Sequence, residues 1–565
     1  MHKRRKTLAL AAAGTSALMV LTACGGGGGE GEQEKEVTWV INSLPAAWGA
    51  ISGAGGSVYV IQMLSGVLPY TGQYQPDATY EYDMDVLAEE PTLVNDNPDE
   101  GPFEFSFTLA EDAVWSDGTP MTGEDLRVTW MMSAAPTEGY CDICDSRGTT
   151  SADMVEEVEV DGKTATFRLK EGLANPEWMG MFDAHSVAGG FYPAHLAEEQ
   201  GWDVDDPAQL GEYFTWLHDT RPEWSGGPYQ IVDGDLENQV VKEPNPEWWG
   251  EAPALDRVIM SYNTDEGTFI PAFQNGEIHG ANPAQYSEDV ITQLREMEGT
   301  TLSVGEGNIW EHIDINVENE WLSDVELRRA VFTAINRDEI ASRNFEAGYP
   351  EYELKNNHIF GSDSEYFEDH ISETGQGSGD VEAATGILED AGYELDGDTL
   401  MLDGEQVGPF RLRSTDTVIR NNSVQLIQAQ LAEIGIETTI EMTDDLGTML
   451  DEQDYDIVQF GWSGTPYFTT SPEQFWRSDS PSNFGGYTND EVDEHARATA
   501  TATSLDEAAE HANAAVAALV PDAYVLPIVA EPNYFFVSDR LANVEDNLQS
   551  SYRATYNIGE WDLAE

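Results

Sequence analysis

Apolar and polar positions divide the chain into strand-like and helix-like stretches. Val37–Ile41 opens as a strand, and a loop rich in Gly, Ala and Ser follows to Ser57, with Trp48 inside it. Val58–Leu68 reads as a helix. Phe103, Phe105, Phe107 and Leu109 alternate with polar residues, the pattern of a half-buried strand. After a turn at Trp115–Pro120, Thr122 with Asp125 three positions on predicts a capping box and a helix over Glu124–Met132. Val158 and Val160 lead through Asp161-Gly162, a two-residue hairpin turn, into Thr164–Leu169. Ser323 with Glu326 predicts another capping box, and Val325–Ile340 keeps its apolar residues on one helical face. Asn422–Ile434 is a further amphipathic helix, ended by Gly435, which accepts a left-handed backbone. Ile436, Thr438, Ile440 and Met442 then alternate as a strand. Glu311–Ile315 reads as a strand, and Leu505–Leu519 as an Ala-rich helix leading to the apolar Val525–Ile528. Strands and helices alternating over short links predict an α/β fold.

The stretch Tyr455–Phe468 carries the strongest site signal. Ile457, Val458 and Phe460 form a short strand, and Gly461–Pro466 reads as a loop. A strand that ends in an aromatic, small-residue loop is how an α/β sheet presents a crevice at its carboxyl edge. Gly461-Trp462-Ser463-Gly464-Thr465 approaches a nucleophile elbow, but Thr465 stands where a glycine is required. The chain has no His-Glu-x-x-His, P-loop or dinucleotide fingerprint. Asn95–Gly101 and Asp203–Asp206 lack the EF-hand spacing. The reading is a binding protein, not an enzyme, with no cofactor and no metal.

Charge narrows the partners. Asp and Glu number 105 against 26 Lys and Arg in 565 residues, a formal charge of −79. Nucleic acid needs a basic footprint, and anionic lipid attracts basic segments, so both are excluded as electrostatic partners. The acids run along the whole chain, which makes them a solvated surface and not an interaction tail. In so acidic a chain, close carboxylate pairs arise by chance and carry no argument for glycosidase chemistry.

The first residues are an export signal. Lys3–Lys6 is a basic n-region and Leu8–Val20 an apolar h-region, short for a spanning helix. Leu21-Thr22-Ala23-Cys24 resembles the lipobox of bacterial lipoproteins, which implies removal of residues 1–23 and lipidation of Cys24. Gly25–Gly29 and the polar residues to 36 make a flexible tether. The expected location is the outer face of the cell membrane, held by lipid. In an exported protein Cys141 and Cys144 are expected to form a small-loop disulfide, since zinc would want two more soft ligands and a redox pair a βα context.

FSFTLAEDAVWSDGTPMTGEDL followed by VEVDGKTATFRLKE resembles the signature region of the extracellular solute-binding proteins of family 5, the peptide- and nickel-type components of ABC importers. Gly226–Tyr229, Asn245–Gly250, Leu255–Val258, Asn316, Leu322–Ala330 and Leu431–Ile436 follow in the same order. The resemblance implies a class II periplasmic-binding fold with two lobes joined by a two-strand hinge. Lobe one would comprise residues 37–272, with an inserted subdomain at about 75–190, and would regain residues 526–565; lobe two would be 273–525. It also implies a monomer that encloses a peptide or other small solute between its lobes and delivers it to a permease powered by a separate ATPase. Candidate ligand contacts are Ser43 and Trp48 in the first loop, Asn308 and Trp310 before the Glu311 strand, and Trp462, Thr465 and Tyr467. Peptide binders of the family carry an aspartate for the ligand's amino group where this chain has Thr465, and their Glu-Gly-Leu is Ser65-Gly66-Val67 here. Oligopeptide is the leading ligand. An oligosaccharide or other uncharged solute is the alternative, and a sensor or envelope-assembly factor with the same fold is a further one.

Self-repulsion of this magnitude is relieved by salt, whose screening length falls from about 10 Å at 0.1 M to about 3 Å at 1 M. The melting temperature is therefore expected to climb with added NaCl; a flat series between 0.1 and 1 M would contradict a salt-adapted surface.

Overall fold

A computed structural model of the chain describes residues 35–564 apart from 42–44, 46, 53–57, 78, 99–100, 147–149, 187, 263–265, 283–287, 444, 465 and 481. Ten strands form one sheet: β1 (Glu36–Ile41), β2 (Tyr229–Asp235), β3 (Gln239–Pro244), β4 (Arg257–Tyr262), β5 (Gly280–Asn282), β6 (Thr300–Ile315), β7 (Phe410–Thr415), β8 (Thr438–Thr443), β9 (Ile457–Ser463) and β10 (Val525–Ser538). Their order is β8-β7-β9-β6-β10-β5-β1-β4-β3-β2. β6 and β10 are the longest and lie in the middle, paired antiparallel from Thr300↔Ser538 to Asp314↔Val525. The register slips between Glu306 and Trp310 and again between Glu311 and His312. Pro532 pairs with Glu306 at the first slip and Pro527 with His312 at the second, where a strand tolerates a residue that cannot donate.

Different halves of these two strands serve different cores. Ile313 and Ile315 of β6, with Leu526, Ile528 and Val529 of β10, pack against Leu412, Val424, Ile427 and Leu431. At the other end Tyr534 and Phe536 pack with Val40, Phe269, Phe273 and Ile291, while Phe535 and Val537 join the largest core, around Trp39, Trp115 and Trp561. A smaller four-stranded sheet, Thr92–Asn95, Glu104–Thr108, Thr164–Leu169 and Val155–Asp161, lies outside the ten-stranded one and feeds Phe105, Phe107 and Phe167 into that largest core.

Most predicted elements form as the pattern requires. The phenylalanine alternation becomes a strand with Phe105 and Phe107 fully buried. Thr122 and Asp125 close a reciprocal capping box on helix α1 (Gly123–Ser133). Gly435 has φ of +79°, and a Cβ there would meet the Leu395 side chain and the Leu400 backbone. The sulfurs of Cys141 and Cys144 are bonded, with Cα atoms 5.6 Å apart.

Four expectations need correction. Asp324, not Ser323, caps α2 (Val325–Ala334), accepting from the Glu326 amide at 3.0 Å. The helix does not continue to Ile340: Ile335 is extended, and Asn336 accepts from the Glu339 amide (3.0 Å) to start α3 (Arg337–Phe345), an asparagine competing with the helix it interrupts. The loop expected from Gly461 begins three residues later, because Trp462 and Ser463 pair with Trp310 and Ile309. The helix read from Asn422 starts earlier, as α4 (Val418–Glu433) capped by Thr417; exposed Val418 hides its first turn from an amphipathic pattern.

Arg337 fastens α3 to the long strand. Its guanidinium, 4% exposed, donates to the carbonyls of Pro527 (2.9 Å) and Lys355 (2.7 Å) and to Asn356 Oδ1 (3.0 Å). Arg337→Ala would strand these acceptors and is expected to cost about 1–3 kcal/mol. An unchanged urea midpoint would show that water replaces them.

Candidate functional site

The two faces of the β6–β9 pair near the register slips carry different chemistry. Trp310 lies opposite Trp462 and His312 opposite Phe460, as cross-strand neighbours. The His312 ring stacks parallel to Trp462 at 6.1 Å and sits 4.6 Å from Trp310. Trp462 continues onto Phe475 (4.6 Å) and Phe484 (6.0 Å) and stays half-buried. Lys355 Nζ stands 5.7 Å from the Trp310 ring centre. Burial pulls this ammonium down to about 8, with Glu306 and Asp363 opposing.

The other face is ionic. Glu311, 2% exposed, accepts from Arg420 Nη2 at 2.8 Å and from the Gln459 amide. Arg420 projects from the first turn of α4 and also donates to Thr415 Oγ1 at the end of β7. Burial opposes the charge on Arg420, but Glu311 and then Glu531 outweigh it and raise the guanidinium. Glu531 on β10 is 4% exposed, and its charge also reaches Tyr59, in the helix Val58–Met63. Burial first and Glu531 second push the Tyr59 phenol up to about 12. Side chains from both sides of the long-strand pair thus meet around β10.

A second meeting point lies beyond β9. Tyr467 donates to Asp183 and packs edge-on against Tyr74 (5.7 Å) and His185 (6.2 Å). Glu177 accepts from the amides of Phe468 (2.9 Å) and Thr469 (3.2 Å) and from the Thr469 hydroxyl.

The structure brings Asn308, Trp310 and Trp462 together. Asn308 binds Gly464 through its carbonyl (2.6 Å) and its amide Nδ2 (3.2 Å), fixing the exit of β9. Tyr467 stands apart from them, with its hydroxyl held by Asp183. Trp48 is 8% exposed, its side chain part of the largest core and its amide bonded to His218 O. Ser43, Thr465 and Cys24 lie outside the described residues. Sequence reasoning missed Arg420, Glu311, Glu531, Glu177 and Asp183. For Arg420 a signal was present: a base at a capped helix start is conspicuous in a chain with so few bases. Nothing marks the four acids among 105. Among the described residues no group of three or more metal-ligating side chains is clustered, and no helix is long and apolar enough to cross a membrane.

Residues 86–486 match the profile of the bacterial extracellular solute-binding proteins, family 5 Middle. The chain belongs to this family. The oligopeptide-binding protein OppA of Mycobacterium tuberculosis is 26% identical over 498 residues, covering 86% of this chain and 78% of that one. Among solved structures, a periplasmic EDTA-binding protein, EppA, superposes with a TM-score of 0.85 at 27% identity over 95% of this chain and 98% of its own. The oligopeptide-binding protein AppA of Bacillus subtilis, solved with a nonapeptide, gives 0.74 at 16% identity over 94% and 100%. The family 5 fold is two-lobed, and the two sets of cores sharing β6 and β10 are its form here. Family 5 proteins bind solutes for ABC importers and are exported.

Glu311→Ala would leave Arg420 without its nearest counter-charge in a mostly buried setting. The expected loss is about 3–5 kcal/mol of stability, read by denaturant unfolding; a loss below 1 kcal/mol would mean that Glu531 suffices alone.

Proposed function

We propose that this family 5 protein is the lipid-anchored receptor of an ABC importer, tethered through Cys24, which captures an oligopeptide between its lobes as a monomer. A separate ATPase drives transport. The observation that carries the reading is the pairing of Trp310 with half-buried Trp462, beside an Asn308 that fixes the exit of β9, where the long strands pass from one set of cores to another. Aromatic faces supply apolar area to a peptide of any sequence, and the polar groups orient its backbone. We place the lobe crossings at the register slip of β6 between Glu306 and Trp310 and at Ala530–Pro532 of β10. The packing of Phe269, Phe273 and Ile291 with Val40 supports a first crossing later than residue 272. Ser43 and Thr465 keep their proposed roles from sequence. Trp48 supports the lobe from within its core, and Tyr467 acts between lobes.

The 0.85 similarity to EppA favours a second reading, capture of a compact polycarboxylate or its metal chelate, for which Lys355, beside the Trp310 ring, would supply positive charge.

Native mass spectrometry of solute co-purified with the protein separates the two, a peptide mass supporting the first and a chelate the second. Recovery of neither, with no binding to a peptide panel by calorimetry, would sink the transport reading. Trp462→Ala is expected to weaken binding of the recovered solute by roughly 1–3 kcal/mol, as for loss of a buried side chain. Unchanged affinity would move the site elsewhere.

A further inference from the structure

Glu177 and Asp183 flank the short 3-10 turn Trp178–Phe182, and they are 8% and 0% exposed. Their partners from the opposite lobe are neutral: the Phe468 and Thr469 amides and the Thr469 hydroxyl for Glu177, and the Tyr467 hydroxyl for Asp183. From its own segment Asp183 accepts the His185 amide at 2.9 Å. Gly180 lies between the two acids, and a Cβ there would collide with the Tyr467 ring, so the segment is shaped to receive that phenol.

The titratable groups facing this contact are Tyr74 and Tyr80 from the strand pair Gly72–Tyr74 and Tyr80–Tyr82, His185, Tyr467 and Tyr552. His185 Nε2 accepts from the Tyr74 amide (3.1 Å), and burial holds the ring neutral, down to about 3. No lysine or arginine among the described residues pairs with either acid. A carboxylate taken out of water with only neutral donors favours its protonated form, and a second carboxylate beside it adds to the effect. Withdrawal of residues 467–469 would remove these donors from both acids.

We propose that Glu177 and Asp183 make lobe closure a proton-binding step, so that the closed form gains on the open form as the pH falls. This rests on the reading that the lobes open and close. The acids act as positioning residues for closure, not as solute contacts. In the closed form burial, against the three hydrogen bonds, raises Glu177 from 4.5 to about 7. Burial raises Asp183 well above its ordinary value, with Glu177 adding to it. A pKa raised on closing gives a contribution that is complete below about 4.5 and is lost as the pH rises through about 7. Between those limits the closed-to-open ratio changes by up to about tenfold per pH unit for each carboxyl.

Spin labels at Val94→Cys and Leu395→Cys, both exposed and on opposite lobes, would report the lobe separation in a Cys24→Ser background of the full chain. No added solute is needed. In the otherwise unaltered chain the shorter distance is expected to gain population as the pH is lowered from 8 to 5. The double variant Glu177→Gln, Asp183→Asn carries neutral side chains at all pH and is expected to keep the shorter distance throughout. Should the double variant fail to fold, Glu177→Gln alone is expected to lose only part of the pH slope. A pH-invariant distance in a protein that still co-purifies with solute, or an equal slope in the double variant, overturns the proton coupling alone. One fixed distance at every pH, with no solute bound, overturns the two-lobe capture reading as well.

Discussion

Two antiparallel strands, β6 and β10, hold this protein together. Each contributes to hydrophobic cores at both of its ends, so neither end packs without the other being placed. Backbone pairing gives the connection stiffness along the strands. The register slips between Glu306 and Trp310 and between Glu311 and His312, with Pro532 and Pro527 opposite, interrupt the ladder at two places. Pairing along both strands ties the cores at their two ends to one ladder.

After the first slip the β6 side chains alternate between an aromatic row, Trp310 and His312, and an ionic face, Glu311 with Arg420. Gln459 from β9 donates to Glu311, and Glu531 from β10 adds its charge to Arg420, so three adjacent strands define one polarised patch. In a chain of such negative charge, acids are ordinary and bases rare. The placement of Arg420 and Lys355 beside this patch is therefore more informative than any single carboxylate. The buried acids matter through their surroundings. Glu311 has a guanidinium beside it, and Glu177 has only neutral donors.

Much of the fold was legible because local rules agreed with the tertiary result. The phenylalanine alternation, the Thr122–Asp125 box, the Asp161-Gly162 turn and the glycine ending α4 each rest on interactions within a few residues. The α2–α3 break was not legible, because apolar periodicity runs through it and only the Asn336 side chain decides otherwise. The length of β6 was hidden for a different reason. Its first half, through Gly305 and Gly307, has a mixed pattern and becomes a strand because β10 pairs with it. Trp310 and Trp462 do pair across β6 and β9, but Trp310 is 6% exposed and packs in a core with Ile371, Trp476 and Tyr487, while Trp462 stays half-buried. Trp48 shows the limit of reading a site by residue type, since a tryptophan in a loop suits a core as well as a cleft.

Sequence alone determined the family, the α/β class and the acidic character, because these depend on composition, short-range periodicity and motif order. Tertiary structure alone decided which acids are buried and what each one faces. Glu177 and Phe468 lie far apart in the chain, as do Glu311 and Arg420, and no local pattern encodes such pairings. Desolvation and long-range hydrogen bonding arise only when the lobes are assembled, and they turn a few of many similar carboxylates into distinct chemical groups.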